Sequence, residues 1–148
     1  MRGVKRHMKV KYSVGAREGK YLDADTVDFE ALLNEPLLSL WSRYGNGQLG
    51  IFDPSRKVSL GVNRIGDCHF FLDWHGDGRM VPYDGTDCAK FSTIEMCGDP
   101  FRVPYACTVD RLTATRAIEF AARTRKRDPR LNWVLMDSVP FAAGWYDA

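Results

Sequence analysis

The 148-residue sequence contains no apolar run approaching the roughly 20 residues that cross a bilayer. Its basic start, MRGVKRHMKVKY, is not followed by the apolar stretch of a secretory signal. These two absences predict a cytoplasmic protein. The sequence also lacks a GxSxG elbow, a P-loop, an HExxH helix and a GxGxxG turn opening a helix. The corresponding nucleophile, phosphate cradle, zinc helix and dinucleotide turn are thereby removed, and the expectation is a protein that is not an enzyme and holds no cofactor or metal. The four cysteines, Cys68, Cys88, Cys97 and Cys107, include no CxxC pair, and their spacing matches no zinc knuckle or ribbon. They read as packing thiols in a reducing compartment, with His69 and His75 near Cys68 as the arrangement a zinc ion would use. Internal repeats and low-complexity tracts are absent.

What is present is ordinary in bulk and uneven in detail. A hydrophobic content of 45% and a charged content of 27% suit a soluble globular chain, and the length suits one domain. Residues 1–7 read as a flexible tail or a cloning remnant, and 8–148 as a single domain. The net charge of +2 hides segregation. Residues 1–20 carry seven Lys or Arg against Glu18, and residues 111–130 carry seven against Glu119 and Asp128. Between them, residues 66–100 carry seven Asp or Glu against Arg79 and Lys90. An acidic centre between basic flanks is a statement about partners rather than about fold.

Periodicity gives an α+β chain. Val10 to Val14 alternate as a short strand, and Asp25 or Thr26 is placed to cap a helix through Phe29, Leu32 and Leu33. Leu37, Leu38, Leu40, Trp41 and Tyr44 are spaced for a further buried turn or two, ended by Gly45-Asn46-Gly47. GQLGIF, VSLGVN, DCHFFLDW, RMVPY, KFSTIEM and FRVPY are short β-branched or aromatic runs separated by turn compositions, with no helix-length segment between them. They predict an antiparallel meander of about five to six strands. Thr108 or Asp110 can cap a long C-terminal helix whose apolar face is Val109, Leu112, Ala117, Ile118, Phe120 and Ala121, packed on one sheet face. Pro129 prevents its return, and LNWVLM reads as a last strand or docked extended segment.

The stretch DWHGDGRMVPYD places Asp73, His75, Asp77, Gly78 and Asp84 at positions that resemble a calcium-binding EF-hand loop. It lies between two strand-like runs rather than two helices, and a hairpin explains the same letters. Gly76 and Gly78 are expected to supply positive φ, and Asp73 and Asp77 acceptors for the turn backbone. The arginines of the C-terminal helix, Arg111, Arg116, Arg123, Arg125, Arg127 and Arg130 with Lys126, fit either a solvated helix face or a phosphate-backbone surface.

The order FFLDWHGDG, VPY, FRVPY and AIEFAARTRKRDPRLNW resembles the first immunity-protein family of bacterial polymorphic toxin systems. The likeness runs from about Gly47 to Trp133 and places Tyr83, Val103-Pro104, Ala117, Glu119-Phe120, Thr124, Pro129 and Trp133 on family positions. It departs after Thr124, where Arg125-Lys126 stand in place of an expected capping glycine. The resemblance implies an inhibitor that binds a cognate toxin domain, a deaminase or nuclease, inside the producing cell. With the acidic centre, it locates the expected partner-binding surface at Asp73, Trp74, His75, Asp77, Asp84 and Asp87, with Trp74 as the aromatic anchor at the hairpin tip. The alternatives are a small nucleic-acid-binding module, using the basic helix and the N-terminal tail, and a small cysteine-dependent enzyme.

Overall fold

The computed structural model describes residues 10–14, 22–34, 48–53, 58–66, 68–96 and 99–146. In chain order the elements are β1 (Lys11–Val14), β2 (Leu22–Asp23), α1 (Phe29–Asn34), β3 (Gln48–Asp53), β4 (Val58–Ile65), β5 (His69–Gly76) and β6 (Gly78–Pro82). They are followed by β7 (Phe91–Met96), β8 (Asp99–Pro104), β9 (Thr108–Val109), α2 (Arg111–Thr124) and β10 (Trp133–Leu135). The main sheet runs β10-β6-β5-β4-β3-β1-β2, with β9 paired to β5, and every pairing in it is antiparallel. The α+β class and the C-terminal helix on a sheet face are as the sequence predicts. No helix among the described residues is long and apolar enough to cross a membrane.

The meander is shorter than the alternation suggests. β3 to β6 are consecutive neighbours, but β7 and β8 leave the sheet and form a hairpin of their own, with β8 also bridging to Tyr146 through Phe101. The outer edge of β6 is occupied instead by β10, in the register Val134 opposite Val81. The physical reason lies in which side chains need cover. Ile94, Phe101 and Val103 of the departed hairpin are buried against Phe71 and Val81, which point away from the helices. Had β7 continued the sheet, that apolar patch would face water.

The sheet therefore carries two cores. On its first face Leu60 and Val62 of β4 and Phe70, Leu72 and Trp74 of β5 meet Ala114, Ala117, Ile118 and Ala121 of α2, with Phe29, Leu32 and Leu33 of α1. Each large apolar side chain buried there contributes about 1.5–3 kcal/mol over its exposed state. The second face holds the core of Ile65, Phe71 and Val81 under the β7–β8 hairpin and the C-terminal segment with Met136, Phe141 and Trp145. The aromatic groups of that core are mutually tilted, with Phe71, Phe101 and Trp145 within 6 Å of one another, centroid to centroid.

The helix ends have identifiable chemistry. Asp110 caps α2 by accepting from the Thr113 N–H at 2.8 Å, and hydrogen bonds from the Thr113 side chain and then its N–H hold its carboxyl below the ordinary carboxylate range. At the other end Arg125 occupies the left-handed region, φ 60 and ψ 30, and donates its N–H to the Ala121 carbonyl. It takes the conformation that glycine usually supplies, and its side chain offsets the strain by reaching the buried Asp53 of β3 at 2.8 Å. For α1 the cap is neither Asp25 nor Thr26, which fall in a short turn of 3-10 helix; Asp28 accepts from the Ala31 N–H instead. The predicted helical turns over Leu37 to Tyr44, with Gly45-Asn46-Gly47, lie outside the described residues, as does the N-terminal tail.

Candidate binding cleft

Side chains of one strand alternate between faces, and directly opposed residues of neighbouring strands share a face. On the second face this rule collects Ser59, Gly61 and Asn63 of β4, Asp73 and His75 of β5, and Arg79 of β6. Gly50 of β3 stands opposite Gly61, and Gly61 opposite Asp73. Two adjacent strands thus present no side chain at the same level. The gap becomes the floor of a cleft of about 470 Å³, closed on its other side by Met96, Asp99, Pro100 and Phe101 of the hairpin and by Tyr146.

Asp73 organises this cleft from below. Its side chain is 6% exposed, and its carboxylate accepts from Arg79 Nε at 2.9 and 3.1 Å and from Nη2 at 2.7 Å. His75 Nε2 lies 3.3 Å from the same carboxylate. Burial pushes the Asp73 carboxyl up, but hydrogen bonds from His75 and Arg79 and the guanidinium charge outweigh it and hold the group below its ordinary value of 3.8. Arg79 continues outward: Nη1 donates to the Tyr146 hydroxyl at 2.6 Å, Nη2 approaches Met96 Sδ at 3.6 Å, and the guanidinium lies over the Phe101 ring. One arginine therefore connects the sheet, the hairpin and the C-terminal segment.

The wall that closes the cleft is held by a second arginine. Arg102 donates through Nε to the Gly144 carbonyl and through Nη2 to the carbonyls of Ala143 and Tyr146, at 2.6–2.8 Å. Its backbone N–H also donates to the Trp145 carbonyl.

The six residues expected to form one partner surface are not brought together. Asp73 and His75 line the cleft, Asp73 as a buried group and His75 as an exposed one. Asp77 is exposed at the β5–β6 turn. Asp84 and Asp87 lie beyond Pro82, separated from Asp77 by the length of β6, roughly 17 Å at strand rise. Their carboxylates accept from the backbone N–H groups of Thr86 and Ala89, shaping the connection to β7. Trp74 is not at the hairpin tip. It is 7% exposed on the opposite sheet face, inside the first core, because an even position on β5 points toward α2.

The turn chemistry is also different from the expectation. Gly78 has φ +91, but Gly76 is required for another reason: a Cβ there would stand 2.9 Å from Trp74 Nε1 and 3.1 Å from Val58. Asp73, expected to brace the turn backbone, is instead committed to Arg79.

Among the other sequence candidates, Cys88 and Cys107 are buried and Cys68 is exposed, while Cys97 lies outside the described residues. Burial pushes the Cys107 thiol up to about 12, with Cys88 and Asp84 adding to the effect, and burial raises Cys88 as well. Neither is a ready thiolate near neutral pH. Of the seven basic residues expected on the C-terminal helix only Arg111, Arg116 and Arg123 lie in α2, and four of the seven have partners within the fold. Arg111 donates to the Leu33 carbonyl, Arg125 pairs with Asp53, Arg127 meets Met80 Sδ, and Arg130 is held by Asp128 at 2.7 Å. Of the positions that carry the resemblance, Trp133 donates its indole N–H to the Asp128 carbonyl and packs on the first core.

Sequence reasoning passed over Asn63, Arg79, Asp99 and Tyr146. The available signal was the spacing of Ser59, Gly61 and Asn63 at alternate positions of a strand whose intervening residues, Leu60 and Val62, are apolar. No protein-family model, curated protein or solved structure matches the chain.

Proposed function

We propose that this chain is an immunity protein that binds and neutralises a cognate bacterial toxin domain, a deaminase or nuclease, in the cytoplasm of the producing cell. The observation that carries the reading is the separation of charge across the sheet. Asp99 is exposed at the cleft, Asp77 is exposed at the β5–β6 turn, and Asp84 and Asp87 are exposed in the connection from β6 to β7. The exposed Arg116 and Arg123 belong to α2, which covers the opposite face, and the exposed Lys126 follows its end. A toxin that acts on nucleic acid presents a basic substrate surface, and an acidic face oriented by such a charge separation steers association toward it. The interface is accordingly centred on Asp77, Asp99 and the cleft mouth rather than on Trp74, and the inhibitor performs no chemistry of its own.

The test is co-production with the toxin domain encoded beside this chain, followed by co-purification. Growth rescue and a stable complex support the reading. Asp77→Lys combined with Asp99→Lys leaves the buried groups untouched and is expected to slow association at low salt by about tenfold or more. Cell death without a complex removes the reading for that pair. The alternative, a nucleic-acid-binding module using the basic helix and N-terminal tail, is disfavoured because Arg111, Arg125 and Arg127 are occupied within the fold. Oligonucleotide affinity falling steeply with salt would revive it.

A further inference from the structure

The carboxylates and the guanidinium that line the cleft do not cancel. Asp73 and Arg79 are paired with each other, and Arg79 is further taken up by the Tyr146 hydroxyl and by Met96 Sδ. Asp99 is left over. It is exposed, it lines the cleft at the turn end of the β7–β8 hairpin, and its carboxylate makes no hydrogen bond or ion pair among the described residues. The cleft thus carries one uncompensated carboxylate, set among apolar and flat groups that suit a long side chain. The half-buried Met96 and the exposed Pro100 flank Asp99, and the exposed Tyr146 ring stands edge-on to Phe101 at 5.1 Å. The half-buried Gly50 and Gly61, directly opposite one another, leave the peptide planes of two neighbouring strands bare.

We propose, resting on the immunity reading, that this cleft seats one arginine side chain of the partner toxin domain, its guanidinium on the Asp99 carboxylate and over the Gly50–Gly61 floor, its stem against Met96 and Pro100. Charge selects a cation: an anionic side chain would meet Asp99 and find Arg79 already committed to Asp73 and Tyr146. Shape selects arginine over lysine. A guanidinium is planar and weakly hydrated, so it lies flat on peptide planes and grips a carboxylate through two parallel N–H groups, whereas an ammonium is a compact, strongly hydrated point charge. The cleft volume of about 470 Å³ lies in the range of sites that enclose a small ligand. Arginine is also the residue with which a nucleic-acid-directed enzyme holds phosphate, so its capture here withdraws a substrate contact.

The first measurement needs no partner. The ¹⁵N-labelled protein is titrated with Nα-acetyl-arginine N-methylamide and with the matching citrulline and lysine compounds. The arginine probe is expected to shift the backbone amides of Gly50, Gly61 and Asp99 saturably, with Kd in the millimolar range, as suits a ligand of about 16 heavy atoms. Citrulline keeps the plane without the charge and lysine the charge without the plane, and each is expected to bind about fivefold more weakly. Asp99→Asn, at an exposed position, is expected to fold and to weaken the arginine probe by about fivefold or more. Gly61→Ala is the second variant: a Cβ there meets Asp73 only at ordinary contact, 3.7–3.8 Å, so the fold is retained while the floor is raised and binding weakens. No saturable shift, equal affinity for the citrulline or lysine probe, or unchanged arginine binding in both variants overturns the proposal and leaves the immunity reading standing.

The second measurement uses the complex with the toxin domain encoded beside this chain. A charge that only steers acts on association and is screened by salt, whereas a seated pair acts on dissociation. Asp99→Asn is expected to speed dissociation by about tenfold or more even at high salt, and Asp77→Asn to change association alone. Unchanged dissociation in Asp99→Asn makes Asp99 a steering charge and overturns this proposal only; the absence of any wild-type complex removes the immunity reading, and this proposal with it.

Discussion

The two faces of the sheet are built from the same strands and could hardly differ more. Toward α2, β4 and β5 present Leu60, Val62, Phe70, Leu72 and Trp74, an apolar surface that two helices cover, interrupted on β4 by the buried Arg64 over the Phe70 ring. On the other side the same strands present Ser59, Gly61, Asn63, Asp73 and His75, interrupted by apolar groups only at Ile65 and Phe71. The first face is a packing surface and its sequence obeys the packing rule except at Arg64. The second is half packing surface and half site, and its departures from the rule mark where the cleft lies: two glycines where strands ordinarily carry β-branched groups, a buried carboxylate, and a buried amide.

The sharpest way to set the faces against each other is to truncate neighbours. Trp74→Ala removes a large buried side chain from the first core and is expected to cost about 3–5 kcal/mol in chemical denaturation, the largest effect here. A cost below about 1 kcal/mol would place the indole at the surface after all. Arg102→Ala comes next: it releases three carbonyls of the C-terminal segment and is expected to lower stability by about 2–3 kcal/mol and to expose Trp145, read as a red shift of its fluorescence.

Asp73→Asn, one position along from Trp74 and on the other face, is expected to cost about 2 kcal/mol near neutral pH, discounted because the Arg79 side chain keeps 23% exposure. The pH dependence gives its sign. The Asp73 carboxyl is lowered in the folded state relative to 3.8, so its contribution is present above that pH and is lost as pH falls through the folded value. Wild type and Asp73→Asn should therefore converge in stability below pH 3.8, and parallel curves down to low pH would show that the carboxylate does not carry this term. Arg125→Gly trades two effects, relief of left-handed strain worth about 1 kcal/mol against loss of the Asp53 pair, and a net destabilisation of about 1–2 kcal/mol in thermal unfolding is expected. A stabilised variant would mean that the cap strain outweighs the ion pair. The smallest effect belongs to Gly61→Ala, within about 0.5 kcal/mol of wild type, because the added methyl meets only ordinary contacts.

The contrast also explains what the sequence could and could not disclose. Helical periodicity and capping made α2 legible, down to Asp110, because those signals are local. The strands were equally legible from their short apolar runs. Their partnership was not: whether FRVPY pairs with RMVPY or folds over it depends on which face of β5 and β6 needs cover, and Phe71 and Val81 settle that only once register is known. The same parity placed Trp74 inside and Asp73 below the cleft, where composition alone suggested an exposed acidic loop with an aromatic tip. Asp73 also owes its role to Arg79, a residue that counted in the sequence merely as one positive charge within an acidic segment. Tyr146 could not be read at all, since its contact with Arg79 spans 67 positions.

That last contact fixes an order of events. The floor of the cleft, the Asp73–Arg79 pair and the hairpin side of its wall belong to the middle of the chain, but Tyr146, which completes the wall, lies in a segment drawn in by Arg102 and Arg79. Completion of the cleft therefore waits on contacts that span 41 to 67 positions, and loss of the 143–146 segment would remove the Tyr146 side of the site together with the outer partner of Arg79.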